Sequence, residues 1–102
     1  MSKIANLSGY YPALVLDAKQ NVHLVWEQRV GGEPEYSIFY ARRAGKKWTA
    51  PVCISGAARY AEVPDIAYRA GRIVVSFQSR RPDNVMELHL VESTDGGETW
   101  SK

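Results

Sequence analysis

Aromatic and charged side chains that could bind a sugar or a small anion fall in the polar segments of this sequence. They are Tyr10, Tyr11, Arg29, Arg59, Tyr60, Glu62, Arg80 and Arg81. Tyrosine offers a flat apolar ring on which a sugar can stack, and arginine forms paired hydrogen bonds with planar anions such as carboxylates. The set predicts a site for a carbohydrate or an anionic small ligand. The alternative is that these side chains only close the junctions between neighbouring elements.

Few residues could carry catalysis or hold a metal. Glu27 and Asp65 adjoin apolar segments, but the sequence identifies no partner carboxylate for either, so we assign no catalytic residue. His23 alternates with apolar neighbours, which favours an ordinary strand histidine over a metal ligand. Cys53 is the single cysteine, which excludes an internal disulfide and a metal site built on cysteines. We therefore expect no cofactor and no metal.

Composition narrows the range of partners. Thirteen basic and eleven acidic side chains give a net charge of +2, too small to argue for nucleic acid. Of the 102 residues, 45% are hydrophobic and 11% aromatic, which indicates a folded domain rather than a disordered tail. No apolar run approaches the roughly 18 residues of a membrane-spanning helix, and the first residues lack the apolar stretch of a secretory signal. We expect neither nucleic acid nor membrane as a partner, and take the cytoplasm as the default location.

The elements that must position these side chains are strands. Short segments rich in Val, Ile, Tyr and Trp alternate with Gly, Pro, Asn and Asp, without helical periodicity. Three residue pairs lie 52 positions apart: Pro12 and Pro64, Gly45 and Gly97, and Trp48 and Trp100. A repeat of about 50 residues has the length of a β-propeller blade. The sequence predicts an all-β fold of two four-stranded antiparallel blades, residues 10–56 and 57–102, with the binding candidates at one end.

The segment from Ser93 to Trp100 carries the most specific motif. The five defining positions of the Asp-box, Ser-x-Asp-x-Gly-x-Thr-Trp, are matched by Ser93, Asp95, Gly97, Thr99 and Trp100. An aspartate in a tight turn accepts hydrogen bonds from the backbone, and glycine supplies a positive φ. The corresponding residues 41–48 keep Gly45 and Trp48 but lack the Ser, Asp and Thr, so they look like a decayed box.

Together with the proline-led first strand of each repeat, the box resembles the sialidase-like (BNR-repeat) β-propellers over nearly the whole chain. The resemblance implies six blades, in which Asp-boxes are structural turns away from the ligand face. It does not extend to the sialidase catalytic groups, because Arg72-Ile73 is followed by Val74 instead of the proline of an Arg-Ile-Pro signature. We expect a non-enzymatic, lectin-like or other ligand-binding propeller. The alternatives are a scaffold or propeller fragment without a small ligand and, less favoured, a sialidase-related glycosidase.

The two ends of the sequence predict an exchanged strand. The second repeat stops where its fourth strand should begin, whereas residues 1–9 look like the end of a fourth strand: Ser8-Gly9 parallels Ser55-Gly56, and Ser2-Lys3 repeats the dipeptide at 101–102. Two blades alone would also expose broad apolar faces. We therefore expect residues 1–9 of one chain to complete blade 2 of a neighbour, with three chains closing a six-bladed homotrimer. The alternatives are a four-chain ring of eight blades, which is less like the family, and a fragment of a longer propeller.

Overall fold

The computed structural model describes residues 9–30 and 35–101. Its strands are β1 (Gly9–Leu16), β2 (Val22–Arg29), β3 (Tyr36–Ala44), β4 (Lys47–Trp48), β5 (Val52–Cys53), β6 (Glu62–Arg69), β7 (Arg72–Arg80) and β8 (Met86–Ser93). The prediction of an all-β fold is confirmed, and within the described ranges no segment is helical, so none is a helix that could cross a membrane. Of residues 1–9, predicted as the outer strand of a neighbouring blade, 1–8 lie outside the described residues, and Gly9 is the first residue of β1.

The first sheet is antiparallel, in the order β1-β2-β3, with β4 and β5 sharing the fourth place. β4 pairs with the end of β3 at the hairpin, and β5 pairs with Phe39 and Tyr40 further along. Pro51 lies between the two short strands. Proline has no N–H to donate, so it interrupts a strand at a sheet edge without breaking a central ladder. The fourth strand of the first predicted blade is therefore present in two pieces.

The second sheet has three strands, in the order β6-β7-β8, and the sequence predicts its fourth strand from a neighbouring chain. Beyond Trp100, Ser101 lies beside β8: its N–H donates to the carbonyl of Glu92 at 2.8 Å, and its Oγ accepts the Glu92 N–H at 2.9 Å. Thr49 makes the same two bonds with Arg42 in the first sheet, at 2.8 and 2.9 Å. Ser101 thus takes the place of the first residue of a fourth strand.

The sheets pack on each other as two layers around one shared core. Alternate residues of the central strands point into it because successive side chains of a strand lie on opposite faces. Its buried members are Val25, Ile38, Tyr40, Ile54, Ala61, Val75, Phe77 and Val91. β6 lies against β1 and β2, which places the first strands of both sheets side by side.

The two sheets stack front to back. Trp26 opposite Phe39 in the first sheet is equivalent to Phe77 opposite His89 in the second. Phe77 belongs to the shared core, but Trp26 packs on the far side of its own sheet, in a separate cluster with Leu24 and Ala41. Equivalent faces of the two sheets therefore point in the same direction.

The hairpin at Gly45 corrects one prediction from the sequence. Arg43 and Ser93 occupy equivalent ladder positions at the ends of β3 and β8. After Arg43 the chain turns through Gly45 and Lys46 alone, and Gly45 has a φ of 66°. This turn is two residues shorter than the one that follows Ser93. Residues 41–48 are therefore not a decayed Asp-box, but a two-residue hairpin, a turn type in which glycine readily supplies the positive φ.

Candidate functional site

Matching β-bulges mark one end of the two sheets. The ladders shift register over Tyr10–Ala13 in β1 and over Glu62–Asp65 in β6. Tyr11 and Val63 lie within these shifts at φ angles of 51° and 52°, a region that bulky or β-branched residues seldom adopt. A bulge re-aims the side chains around it and is frequent beside functional sites. We call this end of the molecule the bulge end.

Four of the predicted binding residues meet at the bulge end of the second sheet. The guanidinium carbons of Arg59 and Arg80 lie 5.7 and 5.8 Å from the centre of the Tyr60 ring, close enough for cation–π attraction. The Arg80 N–H also donates to the Arg59 carbonyl at 3.1 Å, which fixes the loop against β7. Arg81, Pro82 and Asn84 complete the wall of a cleft of about 350 Å³.

Two of these arginines form exposed ion pairs. Arg59 lies 2.7 Å from the Glu35 carboxylate, and Arg81 lies 2.6 Å from that of Asp83. Exposed ion pairs contribute at most about 1 kcal/mol. A bound ligand can therefore replace either acidic partner at small cost, and the cleft stays open to hydroxyl or carboxylate groups.

The remaining aromatic candidates lie at the bulge end of the first sheet. The Tyr10 ring meets the edge of Tyr36 with ring centres 6.3 Å apart, and Tyr11 is exposed. Arg29 lies opposite Tyr36 in the β2–β3 ladder. The Ala61 N–H donates to the Tyr36 carbonyl at 3.0 Å, which joins this group to the loop carrying Tyr60. Sequence reasoning missed Tyr36, whose signal was its position at the start of a strand beside the same loop.

Carboxyl groups surround the bulge of β6. Glu27 is buried, and its Oε1 accepts the Val63 N–H at 2.9 Å. Burial raises the pKa of Glu27 against the lowering effect of that hydrogen bond, and the charge of Glu62 raises it further. The ladder pairs Glu62 with Gln78 and Asp65 with Ser76, two residues apart on β7, so Glu62 and Asp65 belong to one face. Asp65 is exposed there.

The opposite end of the molecule carries the turn from Ser93 to Trp100. Asp95 accepts hydrogen bonds from the N–H and the Oγ1 of Thr99, and Ser93 Oγ donates to it at 2.7 Å. The bonds from Thr99 come first among the causes that lower the pKa of Asp95 to about 2. Ser93 Oγ accepts the Gly97 N–H at 2.9 Å, and the Trp100 indole donates to the Gly97 carbonyl at 3.2 Å. Every one of these bonds lies within the turn.

A buried polar chain at this same end links the two sheets, and sequence reasoning did not find it. His23 lies 2.9 Å from Asp17 through Nε2 and 2.7 Å from the Tyr40 hydroxyl through Nδ1. Burial raises the pKa of Tyr40 to about 12. Arg42 donates to the Gly96 carbonyl at 3.0 Å, and the Tyr40 hydroxyl lies 3.4 Å from the same oxygen. Within residues 9–30 and 35–101 no three His, Cys, Asp or Glu side chains group as a metal site.

Comparisons with known proteins give matches only among solved structures. No family model and no curated protein matches. A GH43_1 enzyme from Xanthomonas citri has a TM-score of 0.68 at 14% identity, covering 93% of this chain and 32% of its own. Its complex with xylotriose gives 0.65 at 16%, covering 89% and 30%. RS223-Beta-xylosidase gives 0.56 at 12%, covering 89% and 34%.

These likenesses establish a relationship of fold. The chain spans about a third of each solved chain, at identities that carry the fold alone. The neighbours are glycoside hydrolases with a five-bladed β-propeller fold, so the propeller relationship is confirmed. The sialidase family and the six-bladed homotrimer are not shown.

The prediction of a non-enzymatic, lectin-like propeller is wrong. The solved structures that this chain resembles in fold are glycosidases, not lectins. The prediction rested on the missing sialidase groups, but one fold can hold different catalytic groups in different enzymes. Absence of one set of groups therefore did not bear on glycosidases of another class.

Proposed function

We propose that this chain supplies two sheets of a carbohydrate-processing β-propeller related to glycoside hydrolases, with the sugar site at the bulge end. The observation that carries the proposal is the Tyr60 ring with Arg59 and Arg80 close to it, in the loop just before the strand end that bears Glu62 and Asp65. An aromatic ring with charged hydrogen-bonding groups around it suits a sugar, whose faces are apolar and whose rim is polar.

Two carboxyl groups, those of the half-buried Glu62 and the exposed Asp65, would supply the chemistry. Hydrolysis of a glycosidic bond ordinarily uses a pair of Asp or Glu residues, one to protonate the leaving oxygen and one to act as base or nucleophile. Glu62 and Asp65 share a face beside the bulge, a few residues along the chain from Tyr60. Glu27 is buried and accepts the Val63 N–H, so we assign it the positioning of this bulge.

Xylose-containing glycosides are the substrate class that we propose. Solved neighbours include an enzyme complexed with xylotriose and a β-xylosidase. The relation to sialidase-like propellers, with their six blades, is a further proposal, supported by the Ser93–Trp100 turn alone.

Binding of xylotriose and hydrolysis of an aryl β-xyloside by the 102-residue chain test this proposal. We expect Tyr60→Ala and Arg80→Ala to weaken xylotriose binding about tenfold each, since ring contacts and charged hydrogen bonds each contribute about 1–2 kcal/mol. Asp65→Asn should lower kcat by at least about a hundredfold, the usual contribution of an acid–base group. Titration calorimetry and release of the aryl group provide the two readouts.

Arg72→Ala is the matched control, because Arg72 is an exposed arginine at the opposite end of the same strand. It should leave both readouts unchanged. A chain that binds no xylotriose contradicts the proposed site. Binding that is unaffected by Tyr60→Ala places the sugar elsewhere, and binding without turnover contradicts the processing role.

A further inference from the structure

We propose that the open edge of β8 receives a second copy of this chain, whose residues 4–8 add the missing fourth strand to the second sheet. The first sheet of that copy then packs on the exposed face of the second sheet. The segment that joins the two sheets of one chain can form the same joint between two chains. The occupant of the open edge is therefore a second copy of this chain.

The first sheet shows how the joint is made. The Ile54 N–H donates to the Ile38 carbonyl at 2.9 Å, and the Ile38 N–H donates to Ser55 Oγ at 3.0 Å. The Ile54 side chain is buried in the shared core. The backbone then turns at Gly56, at a φ of 58°, and enters the second sheet, which covers Ile38. One short segment therefore closes one sheet and leads into the next.

The second sheet has the first part of the same joint, but no described strand completes it. Ser101 repeats both hydrogen bonds of Thr49 at the start of the fourth strand. Leu88 has the ladder position of Ile38, and Leu90 that of Tyr40. Ile38 and Tyr40 are 0% and 3% exposed, whereas Leu88 and Leu90 are 88% and 63% exposed. In the part of the chain that the structure describes, no strand covers this edge.

Space for the added strand lies along the same edge. A groove of about 570 Å³ separates β8 from residues 53–58, with Phe77, Val91 and Trp100 in its lining. An open strand edge with apolar neighbours accepts an extended segment through backbone hydrogen bonds, while alternate side chains settle into the adjoining pockets.

The sequence contains a segment with the required pattern. Aligning Ser8-Gly9 with Ser55-Gly56 places Leu7 at the position of Ile54 and Asn6 at that of Cys53. Ser2 then falls at the position of Ser101, so residues 4–8 align with the fourth-strand positions beyond it. By the bonds of the first sheet, we expect the Leu7 N–H to donate to the Leu88 carbonyl, and the Leu88 N–H to donate to Ser8 Oγ.

The faces that would meet are also complementary. Leu14 and Leu16 are exposed on β1, at positions equivalent to Ile66 and Tyr68 on β6. Ile66 packs against the shared core inside one chain. Stacking the first sheet of a second copy on Leu88 and Leu90 would cover Leu14 and Leu16 in the same way. The front-to-back order of the two sheets makes this contact a repeat of the one within the chain.

Light scattering on the full chain over a wide range of concentration tests the proposal. We expect self-association to the mass of three chains, because three pairs of sheets close a six-membered ring. Leu7→Asp and Leu88→Asp should each abolish association, since a charge would be buried among apolar side chains. Lys46→Asp, in the exposed hairpin of the first sheet, is the control and should associate like the wild type.

A mixing experiment distinguishes strand addition from general stickiness. The Leu7→Asp chain keeps a receiving edge, and the Leu88→Asp chain keeps a donating segment, so the two monomers should combine into one heterodimer and go no further. Leu88 is almost fully exposed, so its variant should keep the fold, which circular dichroism checks. A wild type that stays monomeric, variants that associate normally, or a mixture without heterodimer overturns the proposal. This experiment contains no sugar, so its failure leaves the proposed function untouched.

Discussion

At the scale of single residues, burial separates the carboxyl groups of the bulge end by role. Glu27 is buried and accepts the Val63 N–H of the bulge, whereas Asp65 is exposed to solvent. The two acids lie on neighbouring strands of different sheets, so a small difference in position produces opposite chemical surroundings.

Glu27→Gln and Glu27→Ala test the positioning role through stability. The raised pKa means that the folded state favours the protonated acid, so the contribution of Glu27 is complete below its unfolded pKa of 4.5 and declines as pH rises through the folded pKa. Glutamine keeps the acceptor but cannot ionise. We expect the Gln variant to match the wild type at acid pH and to exceed it at alkaline pH in urea unfolding.

The alanine variant removes the acceptor and leaves the Val63 N–H without its partner. It should lose about 1–3 kcal/mol at both pH values. A Gln variant less stable than the wild type under alkaline conditions would show that the charge itself stabilises the fold.

Asp95 has the opposite dependence on pH. Its pKa lies at about 2, so its stabilising effect is complete above its ordinary pKa of 3.8 and is lost as pH falls toward 2. Thr99→Val removes the donated hydroxyl, and we expect the pKa of Asp95 to rise in that variant. Carbon-13 NMR of the carboxyl group measures it in both proteins, and equal values would mean that Thr99 does not hold the charge.

At the scale of elements, the turn from Ser93 to Trp100 serves as a clamp between the sheets. Its backbone accepts a hydrogen bond from Arg42 on β3, and the Tyr40 ring packs on Trp100 with ring centres 4.9 Å apart. The hairpin at Gly45 in the first sheet is shorter, and a Cβ added at Gly45 would meet no atom within 4 Å. Two turns at equivalent places therefore differ in what they support.

Gly97→Ala and Gly45→Ala form a matched pair for this difference. Both glycines have positive φ angles, 94° and 66°, but a Cβ on Gly97 would also run into the Tyr40 ring. We expect Gly45→Ala to cost about 1 kcal/mol and Gly97→Ala about 3 kcal/mol or more, since backbone strain and overpacking add. Thermal unfolding compares them, and equal losses would show that the clamp is loose.

The strands could be predicted from the sequence, but their contacts could not. Alternating apolar residues and the repeat of Trp26 by Phe77 report local structure, which the chain encodes nearby. The bond from Val63 to Glu27 and the chain from Asp17 through His23 to Tyr40 join distant segments. The shortened hairpin escaped notice because the β1–β2 and β2–β3 connections are each one residue longer than their counterparts in the second repeat, so Gly45 and Trp48 kept the spacing of the repeat.

At the scale of the whole molecule, the overall fold and the single turn motif indicate different relatives. The Ser93–Trp100 turn resembles the turns of sialidase-like propellers, yet the solved structures that match most of this chain are five-bladed glycosidases. A turn motif predicts the structure of one corner of one sheet, whereas the number of sheets in a ring depends on the packing between every pair of neighbouring faces. The sequence of two repeats contains one such pair.

The front-to-back stacking of the sheets bears on how such a protein can grow. The second sheet exposes the face equivalent to the one by which the first sheet contacts it. The segment that connects the sheets pairs with the first and leads into the second. Tandem duplication of one repeat would thus insert a sheet whose borders already fit, without any new kind of contact. Evolution can therefore lengthen or shorten such a polypeptide in units of about 50 residues.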